Sequence, residues 1–406
     1  MTFDQTFGDH KISVLAGYTY QDSRYRYMQG SGQGMPTGIM EIDAAAQGLA
    51  VSGNSSRSVL TSILGRAFYS YKNKYLLTAT IRRDGSSKFG SSHRYGNFPS
   101  VSAGWNVAEE NFVKDNVSWL DQLKLRGGYG VLGNQEISDY QFVSVVTTGI
   151  NYPDGKSGLI QGAFPKTFAN PDIKWEETAM TNVGIDFMAL RNRLTLTADW
   201  YVKNTKDILL NVPIPISTGG ANDPVRNAGK IRNQGVEFNI GWNESLNKDF
   251  SYGIGFLGTY NKNEVVEMGA ESQAITGGAI HGGTYTSKTL AGYPIGGFWL
   301  IPVDGYFNSV EEVQAYQKDG VLIQPSAEPG DIRFKDTNND GTINDEDRVY
   351  CGSPFPKFTY SINGNLTYKQ VDFSIGFQGV TGNKIYNATR LQLDDVTRGT
   401  NYLAST

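Results

Sequence analysis

The chain has 406 residues, 12% of them aromatic, with 48 glycines and a formal net charge of −4. No run of about 18 apolar residues occurs, which excludes a helical membrane protein, and the slight acidic balance gives no electrostatic case for a nucleic-acid partner. The single cysteine, Cys351, excludes an internal disulfide and a cysteine-ligated zinc site. A mean hydropathy of −0.37 does not count against a membrane barrel, because half of each strand faces a wet lumen and dilutes the average. The first eleven residues, MTFDQTFGDHK, lack the basic, apolar and small-residue regions of a secretory signal. An outer-membrane protein needs such a signal, so Met1 is not expected to be the natural start of a whole protein.

Taken in chain order, eleven segments alternate apolar and polar side chains, the mark of a strand with one greasy and one wet face. The first sets Ile12, Val14, Ala16, Tyr18 and Tyr20 against Lys11, Ser13 and Thr19. A loop of about forty residues, rich in Gly and Ser, is expected next. Strands near 62–71 and 75–84 join at Lys72-Asn73-Lys74. The strand near 97–107 points Val101, Ala103, Trp105 and Val107 one way, and 122–131 sets Leu123, Leu125, Tyr129 and Val131 against Gln122, Lys124 and Arg126. Segments 179–190 and 193–202 read as a hairpin around Arg191-Asn192. Val183, Ile185, Phe187, Leu194, Leu196, Ala198 and Trp200 lie outside it, and Asp186, Arg193, Thr195, Thr197 and Asp199 inside. Val236, Phe238, Ile240 and Trp242 pair with Tyr252, Ile254 and Phe256 across a short link at 243–249. The last hairpin, 358–368 with 371–380, carries the cleanest pattern: Phe358, Tyr360, Ile362, Leu366 and Tyr368 against Thr359, Ser361, Asn363, Asn365 and Thr367.

The links between these strands run long, short, long, short, with a brief helix possible in 108–121. Outer-membrane barrels have short periplasmic turns and long extracellular loops, and strands of roughly 9–11 residues cross a bilayer when tilted. Tyr71, Tyr75, Trp105, Trp242, Tyr252 and Tyr368 lie outward beside short turns, where an aromatic girdle belongs, with Trp200 and Tyr260 at the opposite ends. The polar faces carry Lys11, Arg66, Lys124, Arg126 and Arg193 against Asp186, Asp199, Glu237 and Asp372, which suits a wide, wet lumen or a plug contact. The expected fold is therefore all-β: an antiparallel transmembrane β-barrel in contact with outer-membrane lipid, with about eleven strands in this chain and long extracellular loops.

Residues 336–347, DTNNDGTINDED, fit an EF-hand calcium loop in order and spacing. Asp336, Asn338 and Asp340 offer side-chain oxygens, Gly341 permits the sharp turn, Thr342 gives its carbonyl, Asn344 ligates directly or through water, and Asp347 closes the loop. The plain alternative is an acidic turn without metal. Flanking helices are absent from the pattern, so the expected role is a static Ca2+ staple for a long extracellular loop at 261–357. Gly128-Tyr129-Gly130-Val131-Leu132-Gly133 matches GxGxxG, but no helical period follows to hold a pyrophosphate; these are strand and loop glycines. His10, His93 and His281 stand far apart, no GxSxG elbow occurs, and the pairs Glu176-Glu177 and Asp394-Asp395 are sequence neighbours that point oppositely on a strand. No enzyme is expected. The loop aromatics Tyr285, Tyr293, Phe298, Trp299 and Tyr306 suit sugar stacking, loop packing or partner docking alike, and no ligand residue is assigned.

The stretches 82–90 (RRDGSSKFG), 170–176 (NPDIKWE), 227–237 (NAGKIRNQGVE), 330–335 (GDIRFK) and 352–356 (GSPFP) resemble the SusC/RagA family of TonB-dependent outer-membrane transporters of the Bacteroidetes. The resemblance covers essentially the whole chain in order. It implies a multi-pass barrel of about 22 strands with an N-terminal plug driven through the TonB complex. It also implies a SusD-like surface lipoprotein that helps capture oligosaccharide or peptide nutrients. The plug, TonB box, signal and outer strands of the family are missing, so 1–406 is expected to be a partial receptor barrel that neither inserts stably nor transports alone. Two rivals stand beside the importer: a passive porin or barrel-anchored surface adhesin, and a soluble secreted β-protein with a dockerin-like calcium loop.

Overall fold

The computed structural model describes residues 1–155, 158–212, 214, 217, 222–269, 274–278 and 285–394. Twelve strands belong to one sheet and follow one another in chain order: β1 (Thr2–Phe7), β2 (His10–Gln33), β3 (Gln47–Tyr71), β4 (Tyr75–Ser86), β5 (Tyr95–Asn106), β6 (Leu120–Asn134), β7 (Glu176–Ala189), β8 (Leu194–Lys206), β9 (Lys230–Asn247), β10 (Phe250–Glu267), β11 (Phe358–Tyr368) and β12 (Val371–Thr381). The chain divides into two compact units, one of 1–187 with 203–230 and the other of 188–202 with 231–406.

In the first unit, β1 to β6 pair antiparallel in sequence. The register sets like parity against like. Ile12 faces Tyr69, Val14 faces Ala67 and Tyr18 faces Ile63; Tyr69 in turn faces Leu77, and Ala67 faces Ala79. Tyr75 and Trp105 are partners, as are Trp105 and Leu125. The apolar parity is thus one continuous surface across five strands, and Val14, Tyr18, Ile63, Leu77, Val101 and Leu125 on it are exposed. Side chains of this kind line a core in a water-soluble sheet. In the second unit β10, β11 and β12 repeat the pattern. Phe256 faces Ile362, which faces Phe377, and Tyr252 faces Leu366, which faces Phe373. Ile254, Ile362, Phe373, Ile375 and Phe377 are exposed as well.

Three expectations need correction. The sheet holds twelve strands, not eleven: Thr2–Phe7 pairs with Leu15 back to His10 across a turn at Gly8-Asp9, and its six residues are too few to show a period. The forty-residue loop is mostly strand. Pairing of β2 with β3 runs past Tyr20 as far as Gln33 with Gln47, leaving 34–46 as the link; both faces of that ribbon are wet, so hydropathy has no period to show. Strand β10 continues to Glu267, so the long link begins at 268 rather than 261.

That link is folded. Ile275–Thr276, Ser287–Thr289, Gly297–Leu300 and Val349–Gly352 make a four-stranded sheet, and Val303–Tyr306 pairs with Ile332–Phe334. A short helix, Val310–Ala315, starts on a Ser309 cap. The expected turn of helix in 108–121 is present at Asn111–Lys114.

Candidate functional site

The inner parity of the first unit is polar. Ser13, Arg66, Thr78, Ser102, Lys124 and Arg126 share this face, and a concavity of about 320 Å³ opens on it beside Lys124, Arg126 and Asn182. Arg126 Nε lies 3.2 Å from Asp186 Oδ2, so two of the charges assigned to the lumen do meet. In the second unit Arg193 pairs with Glu244 at 3.2 Å, a partner its sequence position did not suggest.

At the short-link end the girdle of the first unit is fastened from below. Tyr75 OH and Trp105 Nε1 both donate to Glu110 Oε1, at 2.7 and 3.1 Å, and Lys74 Nζ lies 2.9 Å from Oε2. These donors, Lys74 first, hold the Glu110 carboxyl down at about 2. Tyr71 and Tyr75 stack with centroids 6.4 Å apart.

At the long-link end the stretches that carry the resemblance explain one another. Phe89, from 82–90, and Ile173 and Trp175, from 170–176, form with Phe98 a buried cluster. The Trp175 ring lies 5.0 Å from Phe89 and 5.3 Å from Phe98, and its Nε1 donates to Arg94 O at 3.2 Å. A Cβ on Gly90 would stand 3.1 Å from Pro171 O, so a larger residue there would press on that carbonyl and push the two stretches apart. Asn227, from the third stretch, donates to Lys174 O and Asp207 O and accepts from Lys174 N, each at 2.8 Å. These stretches are rim scaffolding that ties the long links to the wall.

The candidate metal loop adopts a closed turn. Asp336 accepts from Asp340 N and Gly341 N, at 3.1 and 2.8 Å. Asp347 is fully buried and accepts from Thr337 N and Asn344 N. Gly341 has φ +94°, where other residues are strained. Asp340 accepts from Thr342 N, Thr342 Oγ1 and Asn338 Nδ2, and these bonds, the Thr342 amide first, hold its carboxyl below the usual range. Asn344 caps the turn at 345–347. Every prospective donor is a hard oxygen, the kind calcium takes. Among the described residues, however, no group of three or more His, Cys, Asp or Glu side chains converges as a metal cage. Asp336, Asn338, Asp340, Thr342, Asn344 and Asp347 are thus gathered in one turn whose carboxylates already serve backbone amides.

The remaining motifs resolve simply. Tyr293, Trp299 and Tyr350 pack on one another at 4.8 to 5.8 Å, so two of the proposed stacking aromatics hold the long link together; Tyr285 and Tyr306 remain exposed. Gly128, Gly130 and Gly133 lie within β6. His281 and Asp395 lie outside the described residues. Sequence reasoning missed Glu110, Asn227 and Arg348, the last of which ties the 336–347 turn to the rest of the long link through Asp345, Tyr285 O and Trp299 O. Such long-range partners leave no local signature.

An extended antiparallel sheet with one exposed apolar face, one polar face, short links and long folded links is the layout of an outer-membrane β-barrel protein. The family described as TonB dependent receptor-like, beta-barrel matches residues 1–405, and the chain belongs to it, as a member of the SusC/RagA type. Proteins of this family are outer-membrane transporters rather than catalysts. TonB-dependent receptor P3 of Formosa agariphila is 31% identical over 399 residues, covering 97% of this chain and 39% of that protein. TonB-dependent receptor SusC of Bacteroides thetaiotaomicron is 34% identical over 342 residues, 82% of this chain and 32% of that protein. The chain therefore spans about two fifths or less of the curated relatives it matches. The RagAB peptide transporter superposes with a TM-score of 0.79 at 22% identity, over 97% of this chain and 41% of that one, a likeness of fold.

Proposed function

We propose that this chain is wall and rim of a TonB-dependent importer of oligosaccharides or peptides, part of a closed barrel of about 22 strands that crosses the outer membrane many times. The observation that carries the reading is the unbroken exposed apolar surface of β2 to β6, set against the polar inner parity of the same strands. A plug coupled to the TonB complex would sit against the inner wall, and a SusD-like lipoprotein would rest on the long links. Deleting the gene and following labelled oligosaccharide and peptide uptake tests this. Uptake of one class should be lost, and a protonophore should abolish it in the parent strain. Unchanged uptake contradicts the proposal, and a protonophore-insensitive loss indicates a passive porin.

The turn at 336–347 is proposed as a Ca2+ staple for the 268–357 link. Asp336, Asn338, Asp340, Asn344 and Asp347 side chains and the Thr342 carbonyl would hold the ion, which supplies charge neutralisation and no chemistry. The all-oxygen donor set and the φ of Gly341 support it. Calcium should slow protease cleavage within 268–357, and Asp336→Ala should remove that protection; cleavage indifferent to calcium would exclude the staple.

A further inference from the structure

Past the apolar stretch of β2, on the long-link side, β2 and β3 continue together as a two-stranded ribbon. Gln21 to Ser31 pairs without a register shift against Leu60 back to Ala50, a length of about 35 Å. Four charged side chains occur in it, Asp22, Arg24, Arg26 and Arg57, and the register puts all four on the outward parity. There Asp22 takes Arg57 Nε at 2.9 Å and Arg24 Nη2 at 3.1 Å. The inner parity of the same ribbon carries no charge at all. Its middle rungs are Ser23 opposite Ser58, Tyr25 opposite Ser56 and Tyr27 opposite Asn54. This face starts on Leu60, which packs against the buried Phe89, Phe98, Ile173 and Trp175. Below Leu60 the same parity continues to Arg66 and Ser13 on the inner wall.

Tyr25 and Tyr27 are 59% and 40% exposed. Two residues apart on one strand, they stand on the same face with Cα atoms about 7 Å apart, comparable with the length of one sugar unit in a chain. The Tyr27 hydroxyl donates to Gln29 Oε1, which fixes the edge of that ring. The negative face of an aromatic ring attracts the axial C–H bonds of a pyranose. Serine hydroxyls and an asparagine amide both donate and accept, as sugar hydroxyls do. Tyrosine with serine and asparagine combines stiff contact area with adaptable hydrogen bonding. A peptide brings charged termini, and a uronate or sulfated glycan brings anions; this face has no counter-charge for either.

We propose that the inner face of the ribbon binds an uncharged oligosaccharide. Tyr25 and Tyr27 stack on successive sugar rings, and Ser23, Ser56, Ser58 and Asn54 exchange hydrogen bonds with the ring hydroxyls. The inference rests on the reading of the chain as part of an importer, and it narrows the cargo from oligosaccharides or peptides to neutral oligosaccharides. Because this parity is also that of the inner wall, a sugar chain held here lies at the head of the polar surface that Ser13 and Arg66 share.

The test uses the receptor carrying this chain, purified from outer membranes in mild detergent. Calorimetry measures binding of neutral hexasaccharides (α-1,4-glucan, β-1,4-glucan, β-1,4-mannan and β-2,6-fructan), of hexagalacturonate, and of mixed hexapeptides. At least one neutral hexasaccharide should bind, and Tyr25→Ala/Tyr27→Ala should weaken it about tenfold or more. Arg26→Gln, on the other face of the same ribbon, should leave that binding unchanged. The site is overturned if no neutral sugar binds, if the tyrosine variant binds it undiminished, or if both variants lose it equally. Tyrosine-dependent binding of hexagalacturonate or peptide would overturn it too. Nitration of the unaltered protein by tetranitromethane decides the matter if the tyrosine variant fails to fold. Bound sugar should shield Tyr25 and Tyr27 and leave Tyr95 reactive; unshielded Tyr25 and Tyr27 would remove the site. Uptake in the deletion strain scores the underlying reading separately. Loss of peptide uptake alone removes only the sugar site, whereas unchanged uptake of both classes removes the importer itself.

Discussion

Trp175 is the hub of the cluster with Phe89, Phe98 and Ile173, and Trp175→Ala should cost about 3–5 kcal/mol, the range for a buried aromatic, read as a lower urea midpoint of the membrane-inserted protein. Asn227 donates twice and accepts once. Asn227→Asp keeps its shape but loses both donors, and should cost about 1–3 kcal/mol through the unpaired carbonyls of Lys174 and Asp207. Glu110 supplies a pH signature. Its carboxyl is held at about 2 in the folded state against an ordinary 4.5, so its stabilising contribution is complete above 4.5 and is lost as pH falls through about 2. The stability difference between the native protein and Glu110→Gln should be constant from about pH 5 to 7 and shrink below about 4.5; a difference independent of pH would show that the charge is not what fastens Tyr75 and Trp105.

At the scale of the strand, parity decides everything. Val14 lies on the exposed apolar face, and its neighbour Ser13 lies on the polar face opposite Asp4. Val14→Arg should therefore destabilise the membrane-inserted protein by about 2–4 kcal/mol, and Ser13→Arg by less than about 1 kcal/mol, in the same urea assay. Equal costs would mean that the two faces do not see different solvents. This parity was legible in the sequence wherever one face is greasy: β2 near 12–20, β10 near 252–256, and β11 with β12 all follow it. It was illegible where both faces are wet, as in the ribbon from 21 to 33 and 47 to 58. It was also illegible in β1, where Phe3 and Phe7 are the only outward apolar residues. Spacing alone suggests the candidate calcium loop, and the structure brings its six residues into one turn. By contrast, Arg57 with Asp22, Asn227 with Lys174 and Glu110 with Lys74 meet across 35 to 53 residues, distances over which a sequence carries no pairing rule.

At the scale of the molecule, β1 and β12 stand at the two ends of the sheet order. Unpaired backbone groups on such strands cannot face hydrocarbon, because nothing there hydrogen-bonds to them. The proposed larger barrel supplies the missing neighbours, so this chain refolded by itself into lipid vesicles should give no heat-modifiable, protease-resistant species. In the proposed barrel, alternate side chains of β2 to β6 lie against acyl tails. Cysteine-directed spin labels placed one at a time from Lys11 to Tyr18, in outer membranes and with Cys351 replaced by serine, test that placement most directly. Labels at 12, 14, 16 and 18 should collide with oxygen dissolved in lipid, and labels at 11, 13, 15 and 17 with a water-soluble nickel complex. Shielding of the even positions from both reagents, as between two stacked sheets, would contradict it.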